Sequence, residues 1–365
     1  MKKTLVEVCM SPNLGGLELY MVRTSKALLS DFDVISVINE DSKLESYFSE
    51  NDRYKTIKKS SNIFMVGSAR KLAKLIDENN VSIIHIHWTK DIPFVVLAKL
   101  FSKQKPKIVQ SRHMTMTRYK DDFYHNFLYK NIDLMLPVTN QVKEQLEKFI
   151  PAVSRPRIET LYLGCENYTA LSPKELSKFE DLHSIDSRCF NVGMVGRINK
   201  AKGQYLLIEA ISKLKNINVK VYFVGHEMEE GYIAELQAYA KVLNVADRVV
   251  FLGFLKETNS FYEACDLVVL ASENETFGLV LIEAMNSGTA VVGSDSGGVL
   301  EIIENNENGL LFQSGNSESL SQKIRLLYGD VHFKMQLASN GKSSASKVFN
   351  SSVQYQKLSR ILNQS

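Results

Sequence analysis

Residues 271–285 read ASENETFGLVLIEAM and directly follow the apolar run Leu267–Leu270. The apolar run predicts a buried strand, and LVLIEAM predicts a helix that begins near Gly278. Glu275 lies in the intervening loop, and Glu283 lies inside the helix. Because the first amides of a helix lack intrahelical partners, they attract anions. The stretch therefore predicts a phosphate-binding helix N-terminus between two carboxylates that suit sugar hydroxyls. Taken alone, it also fits a helix cap with one buried acid.

The same alternation of strand and helix patterns continues along nearly the whole chain. Short apolar runs rich in β-branched residues are separated by stretches whose apolar residues recur at helical spacing. This predicts parallel sheets covered on both faces, and the number of runs suits two doubly wound sheets. The runs lie at 5–10, 34–39, 82–87, 107–111, 134–138, 158–163, 191–195, 219–224, 249–252, 267–270 and 290–293.

The alternation breaks between residues 165 and 189, where SPKE (172–175) matches a capping box with proline at the first helical position. We therefore predict two facing Rossmann-like α/β domains. Ligands would bind in a cleft between them, at the carboxyl ends of the strands. The predicted divisions are an N-terminal domain at 1–165, a linker at 166–189, a C-terminal domain at 190–330, and helices at 331–365 that pack back toward the N-terminal domain.

The composition excludes several classes of protein. Of the 365 residues, 44% are hydrophobic and 23% are charged, which is typical of globular domains and excludes disordered or collagen-like chains. The four cysteines are too scattered for a C-x-x-C pair, so we expect free thiols in a reducing compartment. No apolar run approaches the roughly 18 residues of a membrane helix, and no signal peptide is recognisable, so we expect a cytoplasmic protein.

The net charge of +3 hides an asymmetry between the two halves of the chain. Residues 1–165 contain 25 lysines and arginines against 18 acids, whereas the remainder contains 19 against 23. Solvated helix faces explain such basic residues, but a basic half also suits peripheral contact with an anionic membrane or an anionic acceptor. No nucleic-acid-binding module is recognisable, so we expect no nucleic-acid partner.

Two further loops have the composition of ligand-binding loops. SPNLGG (11–16) joins the first strand to a helix, and Gly15 and Gly16 permit close approach of a ligand to the helix N-terminus. GRINKAKG (196–203) follows strand 191–195 and offers Arg197 and Lys202, two cations that suit a diphosphate. A tight turn and a solvated basic turn, respectively, are the alternative explanations.

Together these motifs resemble glycosyltransferase family 4. The resemblance rests on Glu275 and Glu283 in SENETFGLVLIEAM, followed by GTAVV (288–292) and GGVLE (297–301). The Gly-Gly loop, His113 after the strand at 107–111, and the Gly-Arg…Lys-Gly element precede them in the family's order. The family has the GT-B fold and transfers sugars from nucleotide-diphosphate donors, with retention of configuration and without a metal.

The resemblance implies a role for each matched position. Arg197 and Lys202 would hold the donor diphosphate, Glu283 the nucleotide ribose, and Glu275 the transferred sugar. Gly15 and Gly16 would let the first domain approach the diphosphate, and His113 would lie over the reacting sugar. The implied catalytic residues are His113, Glu275, Arg197 and Lys202. The implied donor-binding residues are Gly15, Gly16, Arg197, Lys202, Glu275, Thr276, Phe277, Gly278, Leu279, Val280 and Glu283.

The H-x-H pair of His85 and His87 on one strand has the spacing of metal ligands. No carboxylate-rich motif accompanies it in the sequence, so we predict a structural role or a place in the cleft wall, and no metal site. The aromatic, polar stretch after His113, from Arg118 to His125, suits either an acceptor site or a surface loop.

The resemblance thus implies a retaining, metal-independent glycosyltransferase without a cofactor, using a UDP-, GDP- or ADP-sugar. Its acceptor would be a saccharide or a lipid-linked saccharide in bacterial cell-surface polysaccharide or lipopolysaccharide synthesis. The enzyme would then work at the inner face of the cytoplasmic membrane. Two alternatives are a GT-B sugar-nucleotide epimerase and a non-catalytic subunit that binds sugar nucleotides.

Overall fold

The computed structural model describes residues 2–58 and 65–364, and the chain forms two units. The first unit comprises the chain up to Tyr162 together with the segment from Ser352 onward. The second unit comprises Leu163–Ser351. This division differs from the predicted one, because the predicted linker and most of the predicted C-terminal helices belong to the second unit.

The first unit is built on a parallel sheet with the strand order β3-β2-β1-β4-β5-β6-β7. The apolar residues of its central strands are almost completely buried between helices on both faces. The strands are β1 (Lys3–Cys9), β2 (Phe32–Asn39), β3 (Tyr54–Ile57), β4 (Val81–Ile86), β5 (Lys107–Arg112), β6 (Leu134–Pro137) and β7 (Arg157–Ile158). The helices are α1 (Gly16–Ala27), α2 (Met65–Glu78), α3 (Ile92–Phe101), α4 (Phe123–Lys130) and α5 (Asn140–Phe149).

The last helix of the chain completes the first unit. Leu358, Ile361 and Leu362 of α13 (Ser351–Gln364) are buried in one apolar cluster with Leu5 of β1 and Val34 of β2. Of the segment predicted to pack back toward the N-terminal domain, only this helix contributes to the first unit.

The second unit has a parallel sheet with the strand order β10-β9-β8-β11-β12-β13. Its apolar core includes Leu206, Leu207, Ala210 and Ile211, which recur at helical spacing. The strands are β8 (Phe190–Val195), β9 (Val219–Val224), β10 (Val249–Gly253), β11 (Leu267–Leu270), β12 (Ala290–Ser294) and β13 (Leu310–Phe312). The helices are α6 (Pro173–His183), α7 (Gln204–Ser212), α8 (Tyr232–Val242), α9 (Asn259–Glu263), α10 (Leu279–Asn286), α11 (Ser317–Gly329) and α12 (Val331–Val348).

The segment predicted as a linker begins the second unit. The backbone of Cys165 donates to Phe349 O and accepts from Ser351 N, each at 2.9 Å, so the incoming and outgoing segments lie side by side. A Cβ at Gly164 would lie 2.5 Å from Ser351 Cα, so this close approach requires glycine. The predicted capping box is present at the start of α6, with the Ser172 side chain and the Glu175 backbone and side chain bonded reciprocally.

The structure also bears on the predictions about the cysteines, three of the strands and membrane helices. The four cysteines are free and buried, as predicted. Of the predicted strand at 158–163, only Ile158 belongs to a strand, the two-residue β7, whereas β3 and β13 were not predicted. Within the described residues, no helix combines the length and the apolarity needed to cross a bilayer.

Candidate functional site

The strand order of the second unit locates its candidate ligand site. β8 and β11 are neighbours, and the order of the later strands runs in opposite directions on their two sides. Ligands of open parallel sheets bind at such a reversal, outside the carboxyl ends of the strands. The loop after β8 contains Arg197 and Lys202, and the loop after β11 contains Glu275. The motifs predicted from the sequence therefore converge at this reversal.

Backbone hydrogen bonds join the loops that follow β8, β9 and β10. Gly196 N donates to Val224 O at 2.9 Å, and Gly225 N donates to Gly253 O at 2.8 Å. Gly225 has a φ of 148°, and a Cβ there would lie 1.9 Å from Gly196 O, so no other residue fits. Arg197 is exposed beside this contact, and its guanidinium has no hydrogen bond or ion pair with any described residue. Its charge is available to a ligand.

Lys202 and Glu275 contact each other directly. Lys202 Nζ lies 2.7 Å from Glu275 Oε2, and the two side chains are only 22% and 17% exposed. The loops approach closely here because Gly203, with a φ of 77°, packs against Ala271 O at a distance that leaves no room for a Cβ. The resemblance gave these residues separate ligand contacts. In the structure, they are partners of each other.

A second glycine pair fixes the Glu275 loop. Gly298 N donates to Glu275 O at 2.9 Å. A Cβ at Gly297 would lie 2.1 Å from the same oxygen, and one at Gly298 would lie 2.3 Å from Thr276 O. The GGVLE motif therefore acts as a backbone support for the loop.

Helix α10 begins immediately after this loop. Its N-cap, Gly278, has a φ of 102°. Leu279 and Val280 form the first turn and are half-buried, while Phe277 is buried and anchors the turn in the core. The first-turn amides lack acceptors within the helix, and the helix dipole makes this end attractive to anions.

Glu283 lies farther along α10 and is half-buried. Its Oε2 accepts a hydrogen bond of 2.8 Å from the hydroxyl of Tyr262, a fully buried residue of α9. The sequence analysis missed Tyr262, because an aromatic residue just before an apolar strand is normally part of the core.

A stacked pair of exposed rings at the same edge of the sheet was also missed. The rings of His226 and Phe254 are parallel to within 7°, with centroids 4.3 Å apart. His226 follows β9 and Phe254 follows β10, where each comes directly after a glycine. Phe254 remains 59% exposed. The Gly-His and Gly-Phe pairs at two strand ends were the sequence signal for this flat surface.

In the first unit, the strand order reverses between β1 and β4. The loop after β1 ends in Gly15 and Gly16, and α1 begins at Gly16. Neither glycine has a positive φ, and a Cβ at Gly16 would meet no atom within 4 Å. A Cβ at Gly15 would lie 3.2 Å from Glu18 Oε2, so the open space beside the backbone is at Gly16.

His113 directly follows β5, whose neighbour is β4. Tyr20 packs edge-on against its ring at a centroid distance of 5.1 Å, and the His87 ring lies 6.4 Å away. Burial, followed by the charges of His87, His85 and Arg112, lowers the pKa of His113 to about 3. The imidazole is therefore neutral at pH 7, and its buried Nε2 has no hydrogen-bond partner among the described residues.

Glu7 of β1 is a fully buried carboxylate that the sequence analysis did not connect with the H-x-H pair. It lies 3.0 Å from His85 Nδ1 and 2.5 Å from His87 Nε2. Burial favours a higher pKa, but the two histidines outweigh it and lower the pKa of Glu7 to about 2. The three donor atoms lie within 4.8 Å of one another, and two histidines with one carboxylate form a donor set that Zn²⁺ accepts. The same atoms also satisfy each other as a hydrogen-bonded triad.

The sequence matches two models of known protein families, one in each unit. A family model described as glycosyl transferase 4-like matches residues 7–143, in the first unit. A model described as glycosyl transferases group 1 matches residues 180–344, in the second unit. The two matches together cover most of the chain.

Individual relatives agree with these matches. The N-acetyl-alpha-D-glucosaminyl L-malate synthase of Bacillus anthracis is 25% identical over 291 residues, which are 78% of this chain and 74% of the relative. The N-acetylgalactosamine-N,N'-diacetylbacillosaminyl-diphospho-undecaprenol 4-alpha-N-acetylgalactosaminyltransferase of Campylobacter jejuni is 31% identical over 227 residues, 61% of this chain and 58% of the relative.

Among solved structures, HepE of Anabaena in complex with UDP-glucose superposes with a TM-score of 0.86, at 23% identity and over 99% of this chain and 100% of HepE. This likeness shows the fold, which is GT-B with two Rossmann-like units. With one family match in each unit and this fold, the chain belongs to the group 1 glycosyltransferases.

Proposed function

We propose that the chain is a retaining, metal-independent glycosyltransferase that moves a sugar from a nucleotide-diphosphate donor to a saccharide or lipid-linked acceptor. The observation that carries the proposal is the reversal between β8 and β11 in the second unit. There, the Lys202–Glu275 pair, the exposed Arg197 and the N-terminus of α10 lie at the ends of neighbouring strands. Two cations and a helix N-terminus suit a diphosphate, while Glu275 and Glu283 suit hydroxyls on its two sides.

The nucleotide would lie along the joined loops of the second unit. Glu283 would accept hydrogen bonds from the ribose hydroxyls, since its carboxylate is half-buried and held in place by Tyr262. The flat His226–Phe254 pair, with Phe254 more than half exposed, would support the nucleobase by stacking. UDP, GDP and ADP all present such a face.

The proposed reaction is a substitution on one face of the sugar. The acceptor oxygen bonds to the anomeric carbon on the face from which the diphosphate leaves, and the acceptor proton passes to the departing phosphate. The chain would contribute positioning and stabilisation of the charge on the leaving group. Arg197 and Lys202 would meet that charge in place of a divalent cation, and no further cofactor is proposed.

The proposed acceptor is a component of bacterial cell-surface polysaccharide or lipopolysaccharide, made at the cytoplasmic face of the membrane. The name of the Campylobacter jejuni relative includes a diphospho-undecaprenol saccharide. In this chain, the excess of basic residues lies in residues 1–165. Tyr119, Phe123 and Tyr124 are 60%, 88% and 52% exposed in the segment after His113. Exposed aromatic and basic residues suit an anionic lipid surface.

Incubation with UDP-, GDP- and ADP-sugars and a lipid-linked saccharide tests the proposal. We expect release of nucleoside diphosphate only when acceptor is present, with unchanged rates in EDTA and a product that keeps the donor's anomeric configuration by NMR. Arg197→Ala should lower turnover by about 10²-fold or more, because it removes a donor to the charge of the transition state. Lys200→Ala is the matched control, since Lys200 belongs to the same loop but pairs on the surface with Glu235 at 3.7 Å.

Three outcomes would contradict the proposal. Acceptor-independent interconversion of sugar nucleotides would instead identify an epimerase. Binding without turnover, across the whole panel of donors and acceptors, would identify a non-catalytic subunit. Activity that disappears in EDTA and returns with manganese would overturn the metal-independent mechanism.

A further inference from the structure

The phenol of Tyr262 is an unusual group to find beside a candidate ligand site. It is one of the largest fully buried side chains of the chain, yet its hydroxyl lies 2.8 Å from Oε2 of the half-buried Glu283. Buried phenols pair their hydroxyl groups, but most use backbone carbonyls or water and not a carboxylate that faces a ligand.

The direction of the hydrogen bond follows from the chemistry of the two groups. An ionised carboxylate only accepts, so the Tyr262 hydroxyl donates. Burial, followed by the charge of Glu283, raises the pKa of Tyr262 well above its usual value, which keeps the proton on the phenol. The hydroxyl therefore fixes one oxygen of Glu283.

The backbone around Tyr262 is held just as firmly. Tyr262 N donates to Thr258 O at 2.9 Å, and Tyr262 O accepts from the Thr289 hydroxyl at 2.6 Å. Thr289 N in turn donates to Ala284 O of α10 at 3.0 Å. These bonds join the segment that contains Tyr262 to the helix that contains Glu283.

We infer that Tyr262 is a positioning residue: its hydroxyl sets the orientation of the Glu283 carboxylate toward the ribose of the nucleotide. The inference rests on the proposed function, since it takes the ribose as the ligand of Glu283. A fixed carboxylate loses less freedom on binding than a mobile one, so the tyrosine raises affinity without touching the nucleotide. Pyrophosphate has no ribose, so its binding should not depend on Tyr262.

The test is calorimetric titration of the full chain with UDP, GDP and ADP, with their 2′,3′-dideoxy forms, and with inorganic pyrophosphate. We expect Tyr262→Phe to weaken binding of the preferred nucleoside diphosphate about tenfold, because the freed Glu283 side chain must then be ordered when the nucleotide binds. Pyrophosphate affinity should not change. Removing the ribose hydroxyls should cost the wild type much more than the variant, a coupling that a merely structural residue would not show.

Tyr222→Phe is the matched control. Tyr222 is also fully buried in the second unit, but its oxygen accepts from Asp186 N at 3.1 Å. This variant should lose stability and keep nucleotide affinity. Tyr262→Met, which also removes the hydroxyl and fills the buried space with a flexible apolar side chain, serves as a second variant. It should weaken nucleoside diphosphate binding in the same direction, and it keeps the test decisive if Tyr262→Phe does not fold.

The two proposals fail in different ways. If the wild type binds none of the nucleoside diphosphates, the proposed function is wrong and the inference falls with it. If Glu283→Ala weakens nucleotide binding while Tyr262→Phe and Tyr262→Met do not, only the inference is wrong. Equal losses for nucleoside diphosphate and its dideoxy form in Tyr262→Phe would also overturn it.

Discussion

Among single residues, the two glutamates of the ENETFGLVLIE segment have different partners although they share one motif. Glu275 lies in a loop and pairs with Lys202, whereas Glu283 lies in a helix and pairs with Tyr262. A ligand would therefore meet one carboxylate already next to a cation and another held by a neutral donor.

This difference predicts that alanine substitution of the two glutamates impairs different steps, turnover in one case and nucleotide binding in the other. Glu275→Ala should retain affinity for bare nucleoside diphosphate, because it leaves Lys202 free for the phosphates, and should mainly lower turnover. Glu283→Ala should weaken binding of the bare nucleotide, because every nucleotide carries the ribose. Calorimetry of both variants measures the affinities. An equal loss of nucleotide binding in the two variants would refute the division of roles.

The buried histidines of the first unit predict how stability depends on pH. Burial lowers the pKa of His87 to about 4 and that of His113 to about 3, against a reference value of 6.5. The unfolded chain therefore binds these protons at higher pH than the folded chain. The free energy of unfolding should fall as pH drops below about 6.5, by at most about 1.4 kcal/mol per pH unit for each histidine.

Urea denaturation at several values between about pH 7.5 and 5 measures this dependence. His113→Asn should give a shallower dependence, since it removes one of the two titrating groups. Stability that rises on acidification, or an unchanged slope in the variant, would contradict the prediction.

Residue types and spacing locate the motif residues in the sequence, but not their partners. Glu7 and His85 are 78 positions apart, and only the pairing of β1 with β4 brings them together. A lone glutamate inside an apolar run gives no sign of the histidines that it will meet. The Lys202–Glu275 pair likewise depends on which loops lie next to each other, and the sequence analysis assigned each residue to the ligand alone.

Among whole elements, the interior strands were predictable, and so was the edge strand β10, whereas the edge strands β3 and β13 were missed. Interior strands such as β1, β4, β8 and β11 are recognisable as apolar runs because both faces of the sheet are covered. β3 and β13 each lie at the edge of a sheet. β3 has a largely exposed pattern and β13 has only three residues, so neither has the apolar length by which buried strands are recognised.

The joined loops of the second unit predict an effect of Gly225→Ala. The new Cβ would lie 1.9 Å from Gly196 O, so the loops after β8 and β9 would have to separate. We expect a lower melting temperature and weaker nucleotide binding, because Arg197 follows Gly196 directly. Gly253→Ala is the control: its φ of 73° is also positive, but its Cβ would meet no atom within 4 Å. Scanning calorimetry and nucleotide titration compare the two variants, and equal effects would contradict the steric explanation.

At the scale of the whole molecule, the C-terminal helix α13 packs in the first unit, which also contains the first strand, β1. Leu358 and Leu362 are completely buried in the first unit, and burying one such side chain stabilises by about 1.5–3 kcal/mol. We expect truncation after residue 351 to destabilise the first unit strongly, as measured by its loss of amide protection in hydrogen exchange. Protection that survives in β1 and β2 would show that α13 is dispensable.

The side-by-side backbone at Cys165 and Asn350 gives the second unit the topology of an inserted domain. The backbones at its two ends are hydrogen-bonded to each other, as in domains that tolerate transplantation or circular permutation.

A polypeptide of residues 163–351 should therefore fold autonomously. A short linker between its ends should permit new termini in a surface turn such as the one at Gly231. We expect both forms to bind nucleoside diphosphate as the full chain does, because the Lys202–Glu275 and Tyr262–Glu283 pairs lie within the excised segment. The second unit would then be a nucleotide-binding domain that keeps its function outside this chain.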